Sequence, residues 1–327
     1  MIGRPFSRKG SCGCSQDNLL QISDLSVRFD SHSEVVRALD SVDLGLPQGE
    51  HLALIGESGC GKTVLAQAVL GLLPANTRIC GRIEYQGKNL LALREDDLRK
   101  IRGRAIAMIP QSSAQVLNPV ETMGDQVAEV LISHHILPPD AARRETIHLL
   151  GEMGFENPES VYQRYPHEIS GGMRERALIA MALSGNPEMI VADEPTAGLD
   201  VLVRGKVLEM LAERTRDRTL LVITHDLATA STLCRKVAVM YAGEIIESGT
   251  LRDVLDFPGH PYTEGLLSSQ PSRGLQSIPG ISPLPSTLPD GCRFASRCPR
   301  ATCNCRKNHP ELMRTSGDHE VRCRCND

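Results

Sequence analysis

A chain of 327 residues with 41% apolar content can bury one large core or two modest ones. Its formal net charge of -4 gives no reason to expect a nucleic acid or an anionic membrane surface as partner. The longest apolar run, VLAQAVLGLL at 64–73, is too short to span a bilayer, and the start MIGRPFSRKGSCGC has no apolar stretch behind it to make a secretory signal. A soluble, intracellular protein is expected. In a reducing compartment, clustered thiols serve more often as metal ligands than as disulfides.

Residues 1–18 read as a loose N-terminal extension. From LLQISDLSVRF (19–29) the chain alternates apolar and polar residues, as a half-buried strand does. HLALIG (51–56) is a short apolar strand ending in glycine, and KTVLAQAVLGLL (62–73) has helical spacing. RAIAMIP (104–110) is another buried strand. Residues 120–185 are mostly helical in pattern, with breaks at ENPES and RYPHE. Then follow the strand EMIVAD (188–193), a helix near 201–215, the strand TLLVIT (219–224) and a helix near 226–234. KVAVMYAGEIIESG reads as a hairpin turning at Ala242 and Gly243. Strands alternating with helices predict an α/β domain with a largely parallel sheet. The composition then shifts to QPSRGLQSIPGISPLPSTLPDG, a Pro-, Ser- and Gly-rich stretch that reads as linker, with a cysteine-rich segment hanging beyond it.

GESGCGKT (56–63) fits G-x-x-x-x-G-K-[ST] in full, between a predicted strand and a predicted helix. Gly56 and Gly61 let the backbone curl so that the N–H groups through Glu57, Ser58, Gly59 and Cys60 face phosphate oxygens. The following helix adds its positive end. Lys62 is expected to reach the β- and γ-phosphates, and the Thr63 hydroxyl to face Mg²⁺. Downstream, MIVADE (189–194) is an apolar strand ending in two carboxylates. Asp193 is placed to hold the Mg²⁺ shell, and Glu194 to act as general base on the attacking water.

With these motifs the chain resembles the ATP-binding subunits of ABC transporters over about residues 19–270. ISGGMRER (169–176) looks like the signature that separates the family from other P-loop enzymes. AGLD (197–200) resembles its D-loop, and ITHD (223–226) supplies the switch histidine, His225. Gln111 matches the Q-loop position, which joins Thr63 and Asp193 around Mg²⁺, and Phe29 is the candidate for stacking on adenine. The resemblance implies an ABC-type P-loop fold: a RecA-like core, an antiparallel β subdomain and a helical subdomain near 115–185, together spanning 19–256. It also implies that Ser170, Gly171 and Gly172 complete a partner subunit's ATP site. Ile169, Met173 and Glu175 depart from the usual signature, and Glu175 is expected to add a charge near that interface. An ABC ATPase uncoupled from transport, of the DNA-repair or translation type, is the alternative; one cassette without a long charged heptad run speaks for the transporter.

GHPYTEGLL (259–267) and the tail resemble the dipeptide, oligopeptide and nickel importer branch, making 257–327 a Cys-rich C-terminal extension. GCRFASRCP, Cys305, HPEL and Cys323 match the tail pattern of that branch. Membership implies a peripheral subunit on the cytoplasmic face of the cell membrane. It implies a second ATPase subunit, in a heterodimer, two integral-membrane permeases and an extracytoplasmic solute-binding protein. It also makes Cys292, Cys298, Cys305 and Cys323 candidate ligands of a [4Fe–4S] cluster. Zinc is the rival, since four thiolates also suit it, but structural zinc sites favour shorter C-x₂₋₄-C spacings than the C-x₅-C-x₆-C found here. Cys303 and Cys325 lie two residues from expected ligands, and Cys12 and Cys14 have no assigned role.

Overall fold

The structure is a computed structural model describing residues 18–30, 34–111, 116–271 and 274–324. Cys12, Cys14 and Cys325 lie outside the described residues, as do residues 1–17 of the expected N-terminal extension. In chain order the first elements are β1 (Asn18–Asp30), β2 (Val35–Pro47), β3 (His51–Ile55), α1 (Lys62–Val69), β4 (Thr77–Tyr85), β5 (Lys88–Asn89), α2 (Glu95–Ile101) and β6 (Ile106–Ile109). Four helices follow: α3 (Met123–Ser133), α4 (Pro139–Glu152), α5 (Pro158–Gln163) and α6 (Gly171–Ser184). Next come β7 (Met189–Asp193), α7 (Val201–Thr215), β8 (Thr219–Thr224), α8 (Leu227–Leu233), β9 (Lys236–Tyr241) and β10 (Glu244–Thr250). The last are α9 (Leu251–Asp256), α10 (Pro261–Ser268), α11 (Cys303–Lys307), β11 (Met313–Ser316) and β12 (His319–Val321).

The large sheet runs β11-β12-β10-β9-β3-β8-β7-β6. Strands β9, β3, β8, β7 and β6 are parallel, while β10, β12 and β11 continue antiparallel. The central strands are apolar in their middles and almost wholly buried because both faces are covered. In β3, Ala53 and Ile55 face one core with Ile190, Ala192 and Val222, and Leu52 and Leu54 face the other with Val191, Leu221 and Ile223. The second core lies under a separate antiparallel sheet of order β2-β1-β4-β5, closed by α1. Helices α3, α4 and α6 pack on one another in the region of predicted helices.

The predicted hairpin forms, with Ala242 at φ 46° and Gly243 at φ 84°. Two consecutive left-handed residues match the twist of the flanking strands. The helix after the glycine-rich loop is shorter than its apolar pattern suggested, ending at Val69 with a turn at Leu70 and Gly71.

The cysteine-rich segment does not hang beyond the fold. β12 pairs with β10 and so extends the large sheet, and Phe294 is buried in the first core against Tyr241 and Tyr262. Burying one such ring contributes about 2–3 kcal/mol. Buried charges fasten the same segment. Arg293 meets Asp40 and Glu244, and Glu247 takes the N–H groups of Gly259 (2.6 Å) and His260 (3.0 Å) and the His319 ring (2.7 Å). Proline and glycine shape the path of this segment, but long-range contacts hold it.

Candidate active site

The parallel register alone gathers the functional residues at one edge. Ile55 pairs with Thr224, and Ile223 with Asp193. One residue beyond each strand therefore stand Gly56, His225 and Glu194, at the carboxyl ends of adjacent strands, where open α/β sheets bind ligands. Gln111 follows β6 by two residues at the same edge and is exposed; β6 pairs with β7 through Ile109 and Ala192.

The loop at 56–63 fits its surroundings only with glycine at two points. A Cβ on Gly61, which has φ 113°, would lie 2.7 Å from the Ala38 carbonyl oxygen. A Cβ on Gly56 would lie 2.2 Å from that of Met240. α1 begins at Lys62 without a side-chain cap, so its first N–H groups face the loop with the helix dipole behind them. Lys62 is buried, and its Nζ donates to the Gly56 and Glu57 carbonyl oxygens at 2.8 and 2.9 Å. Cys60 is buried too, and burial raises its thiol, which makes it a small packing residue rather than a nucleophile.

Asp193 is almost fully buried, and its Oδ1 has no hydrogen-bond partner. Burial holds its carboxyl above the ordinary range and the neighbouring Glu194 charge adds to this, while the Thr63 hydroxyl and Lys62 ammonium oppose it. A buried carboxylate oxygen without a partner, beside a threonine hydroxyl, is the donor set that suits a small hard cation.

Glu194 sits at φ 49°, a strained conformation for a glutamate. The strain aims its carboxylate across β8. Thr224 Oγ1 donates to Oε2 at 3.1 Å, the His225 N–H donates to Oε1 at 3.0 Å, and His225 Nδ1 lies 2.6 Å from Oε1. An ionised carboxylate only accepts, so Nδ1 carries the hydrogen and Nε2 faces away. Thr224 had no sequence-level role; only the register places it here.

Ser170 caps α6, accepting the Met173 N–H at 3.3 Å. Gly172 packs closely on α7: a Cβ there would lie 2.7 Å from Val203 Cγ1, so the valine would have to shift to admit it. Asp200 caps α7 by accepting the Leu202 and Val203 N–H groups, which leaves Val201 and Leu202 exposed. Glu175 is 4% exposed. Its expected charge at an interface is therefore corrected: helix packing turns the side chain inward. Phe29 is partly buried, paired with Val36 and Thr77 and packed against the second core.

Away from this edge, Cys292, Cys298, Cys305 and Cys323 line one pocket with His260 and Phe294. Cys303 is exposed and does not line it. Burial pushes the Cys292 thiol up to about 11 and raises Cys298, so both stand protonated at neutral pH. Burial also pushes His260 down to about 3, so its neutral Nδ1 accepts the Tyr262 N–H at 3.0 Å. Among the described residues, no three His, Cys, Asp or Glu side chains stand close enough to share one metal ion.

This fold and site define a P-loop ATPase of the ATP-binding-cassette class. Residues 39–197 match the family described as ABC transporter, and residues 246–305 match the oligopeptide/dipeptide transporter C-terminal region. The oligopeptide transport ATP-binding protein AppD of Bacillus subtilis (strain 168) is 41% identical over 314 residues, covering 93% of this chain and 96% of the relative. The dipeptide transport ATP-binding protein DppD of the same organism is 40% identical, covering 94% of each. The probable D,D-dipeptide transport ATP-binding protein DdpD of Escherichia coli (strain K12) is 42% identical, covering 94% and 96%. A dimeric post-hydrolysis structure of the ATP-binding cassette MJ0796, bound to ADP and Pi, superposes with a TM-score of 0.64 at 26% identity, over 71% of this chain and 99% of that one. The chain belongs to the ATP-binding subunits of ABC transporters, in the oligopeptide/dipeptide branch. It is an ATPase, and the uncoupled alternative is not favoured. Among the described residues no helix is long and apolar enough to cross a membrane.

Proposed function

We propose that this chain hydrolyses MgATP to drive the uptake of di- or oligopeptides. It works on the cytoplasmic face of the cell membrane, held there by two permease subunits and paired with a second, different ATPase. An extracytoplasmic solute-binding protein delivers the cargo. Peptide is preferred over nickel or metal chelates because the named relatives are peptide transporters. The division proposed is 1–18 as extension, 19–256 as ATPase and 257–327 as C-terminal module.

The observation that carries the reading is the Glu194 carboxylate, fixed by His225 and Thr224 one residue beyond the partnerless oxygen of Asp193. Glu194 accepts the proton of the water that attacks the γ-phosphorus. His225 orients that carboxylate and the γ-phosphate oxygens. Lys62 and the N–H groups from Gly56 to Thr63 bind the phosphates, and Phe29 stacks on adenine. Thr63, Asp193 and Gln111 would hold Mg²⁺, whose chemistry is neutralising charge on the phosphate oxygens. Ser170, Gly171 and Gly172, at the positive end of α6, serve the partner subunit's ATP.

Cys292, Cys298, Cys305 and Cys323 line one pocket and supply the four thiolates that a [4Fe–4S] cluster takes, which is the group proposed there, with Zn²⁺ as the alternative. The role proposed is structural, pinning the module to the ATPase body.

Reconstitution with the permeases in proteoliposomes tests the whole reading. ATP turnover should require Mg²⁺ and rise with peptide-loaded binding protein. Turnover indifferent to both permeases and peptide would overturn it.

A further inference from the structure

The glycine-rich loop is held from outside the cassette. Arg297 grips the Glu57 carboxylate with both arms, Nη1 to Oε2 at 2.8 Å and Nη2 to Oε1 at 2.9 Å. Ser282 donates to the same Oε2 at 2.7 Å and accepts from Arg297 Nη1 at 2.9 Å. Arg297 is itself buried, its Nε donating to the Pro279 carbonyl at 2.9 Å and its guanidinium 5.8 Å from the Tyr241 and Phe294 ring centres. Tyr262 completes the grip, its hydroxyl oxygen accepting the Glu57 N–H at 2.8 Å. Both the backbone and the side chain of Glu57 are thus tied to the C-terminal module. The Glu57 carbonyl is also one of the two on which Lys62 rests.

From this geometry we infer that Arg297 is a positioning residue of the ATP site. It fixes the loop at Glu57, so that the following N–H groups and Lys62 are preorganised for phosphate, and the C-terminal module is thereby a structural part of the nucleotide site. Preorganisation lowers the ordering cost of binding. A bidentate guanidinium also neutralises a carboxylate that would otherwise stand unpaired beside a polyanion. Glu194, Thr224 and His225 stand at the ends of other strands and hydrogen-bond one another rather than Glu57 or Arg297. Loss of the clamp should therefore weaken ATP binding and leave the chemical step alone.

The inference rests on residues 56–63 being the ATP phosphate loop. The test is equilibrium binding of a fluorescent ATP analogue with Mg²⁺ to the purified full chain, together with kcat. Arg297→Ala should raise Kd about tenfold with kcat within about threefold, and Arg297→Lys should fall between. Adding Glu57→Gln to Arg297→Ala should recover part of the affinity, because the unpaired charge is gone; a merely structural arginine would show no such rescue. Kd unchanged in a folded Arg297→Ala protein, or no recovery in the double variant, overturns the inference. Should Arg297→Ala fail to fold, Arg297→Lys decides alone, since it keeps the charge but cannot hold both carboxylate oxygens in a planar fork: it should raise Kd a few-fold with kcat within about threefold, and an unchanged Kd overturns the inference. A wild-type chain without affinity for ATP would overturn the ATP-site reading and this inference together.

Discussion

His225 holds Glu194 through two hydrogen bonds to a single carboxylate oxygen, from its backbone N–H at 3.0 Å and its ring Nδ1 at 2.6 Å. The ring and the carboxylate therefore move as a unit. Glu194→Gln should reduce kcat by about 10²–10⁴-fold, leave ATP bound and trap a closed dimer. His225→Ala frees the carboxylate to turn and should also lower kcat, with ATP affinity nearly unchanged. Single-turnover hydrolysis beside equilibrium binding checks both. Wild-type turnover in Glu194→Gln would remove Glu194 as the base.

Lys62 is the buried cation of the loop. Lys62→Ala deletes a charge-assisted contact worth about 1.5–3 kcal/mol, so ATP affinity should fall about 10- to 100-fold. The Gly56 and Glu57 carbonyls lose their donor in the same variant. ATP titration by calorimetry checks it; an unchanged Kd would mean that phosphate binds elsewhere.

The positive end of α6 belongs, on the present reading, to the partner's nucleotide. Ser170→Arg should abolish hydrolysis at the site formed with the partner's phosphate loop while this chain's own loop still binds ATP. Ser170→Asp, which keeps an N-cap, separates the lost cap (about 1 kcal/mol) from the lost contact. Photolabelling each subunit of the mixed dimer with an ATP analogue reads the two sites apart. Full activity from a strictly monomeric chain would end the paired-site reading.

The catalytic edge was legible because its motifs are local: a loop, a strand running into two acids and a strand followed by a histidine lie at fixed offsets, and parallel register does the rest, adding Thr224. The C-terminal module was not legible in this way. Its Pro- and Gly-rich composition reads as linker, yet Phe294 fills a core and Arg297 reaches Glu57 across 240 residues. No periodicity encodes such contacts. Strand β4, paired between β1 and β5, escapes the sequence pattern for a related reason: residues at 77–82 are largely exposed, so the apolar alternation that marks a strand is weak there.

The clamp has a pH signature. The Arg297 hydrogen bonds hold the Glu57 carboxyl below its ordinary value of 4.5, against the opposing effect of burial. A depressed carboxylate contributes stability that is present above the unfolded value and is lost as pH falls through the folded one. The difference in unfolding free energy between wild type and Arg297→Ala should thus stay level from about pH 8 to pH 5 and shrink below 4.5. In Arg297→Ala the Glu57 carboxyl should titrate higher than in wild type, as carbon NMR would show. A stability difference that grows as the pH is lowered would contradict the pairing.

The cysteine pocket makes the sharpest demand on chemistry. Burial raises the Cys292 and Cys298 thiols, and a metal takes thiolates, so binding must displace their protons. Assembly should accordingly release protons and be favoured as pH rises toward 8. Anaerobically purified protein should be brown and contain iron and acid-labile sulfide. Cys292→Ser, Cys298→Ser, Cys305→Ser and Cys323→Ser should each lose colour and iron, whereas the exposed Cys303→Ser should keep both. If the metal is structural, colourless variants should also melt at lower temperature, because His260 and Phe294 line the same pocket and Cys323 follows β12 by two residues. Colourless anaerobic wild type carrying stoichiometric zinc would replace the cluster by a single ion held by the same thiolates.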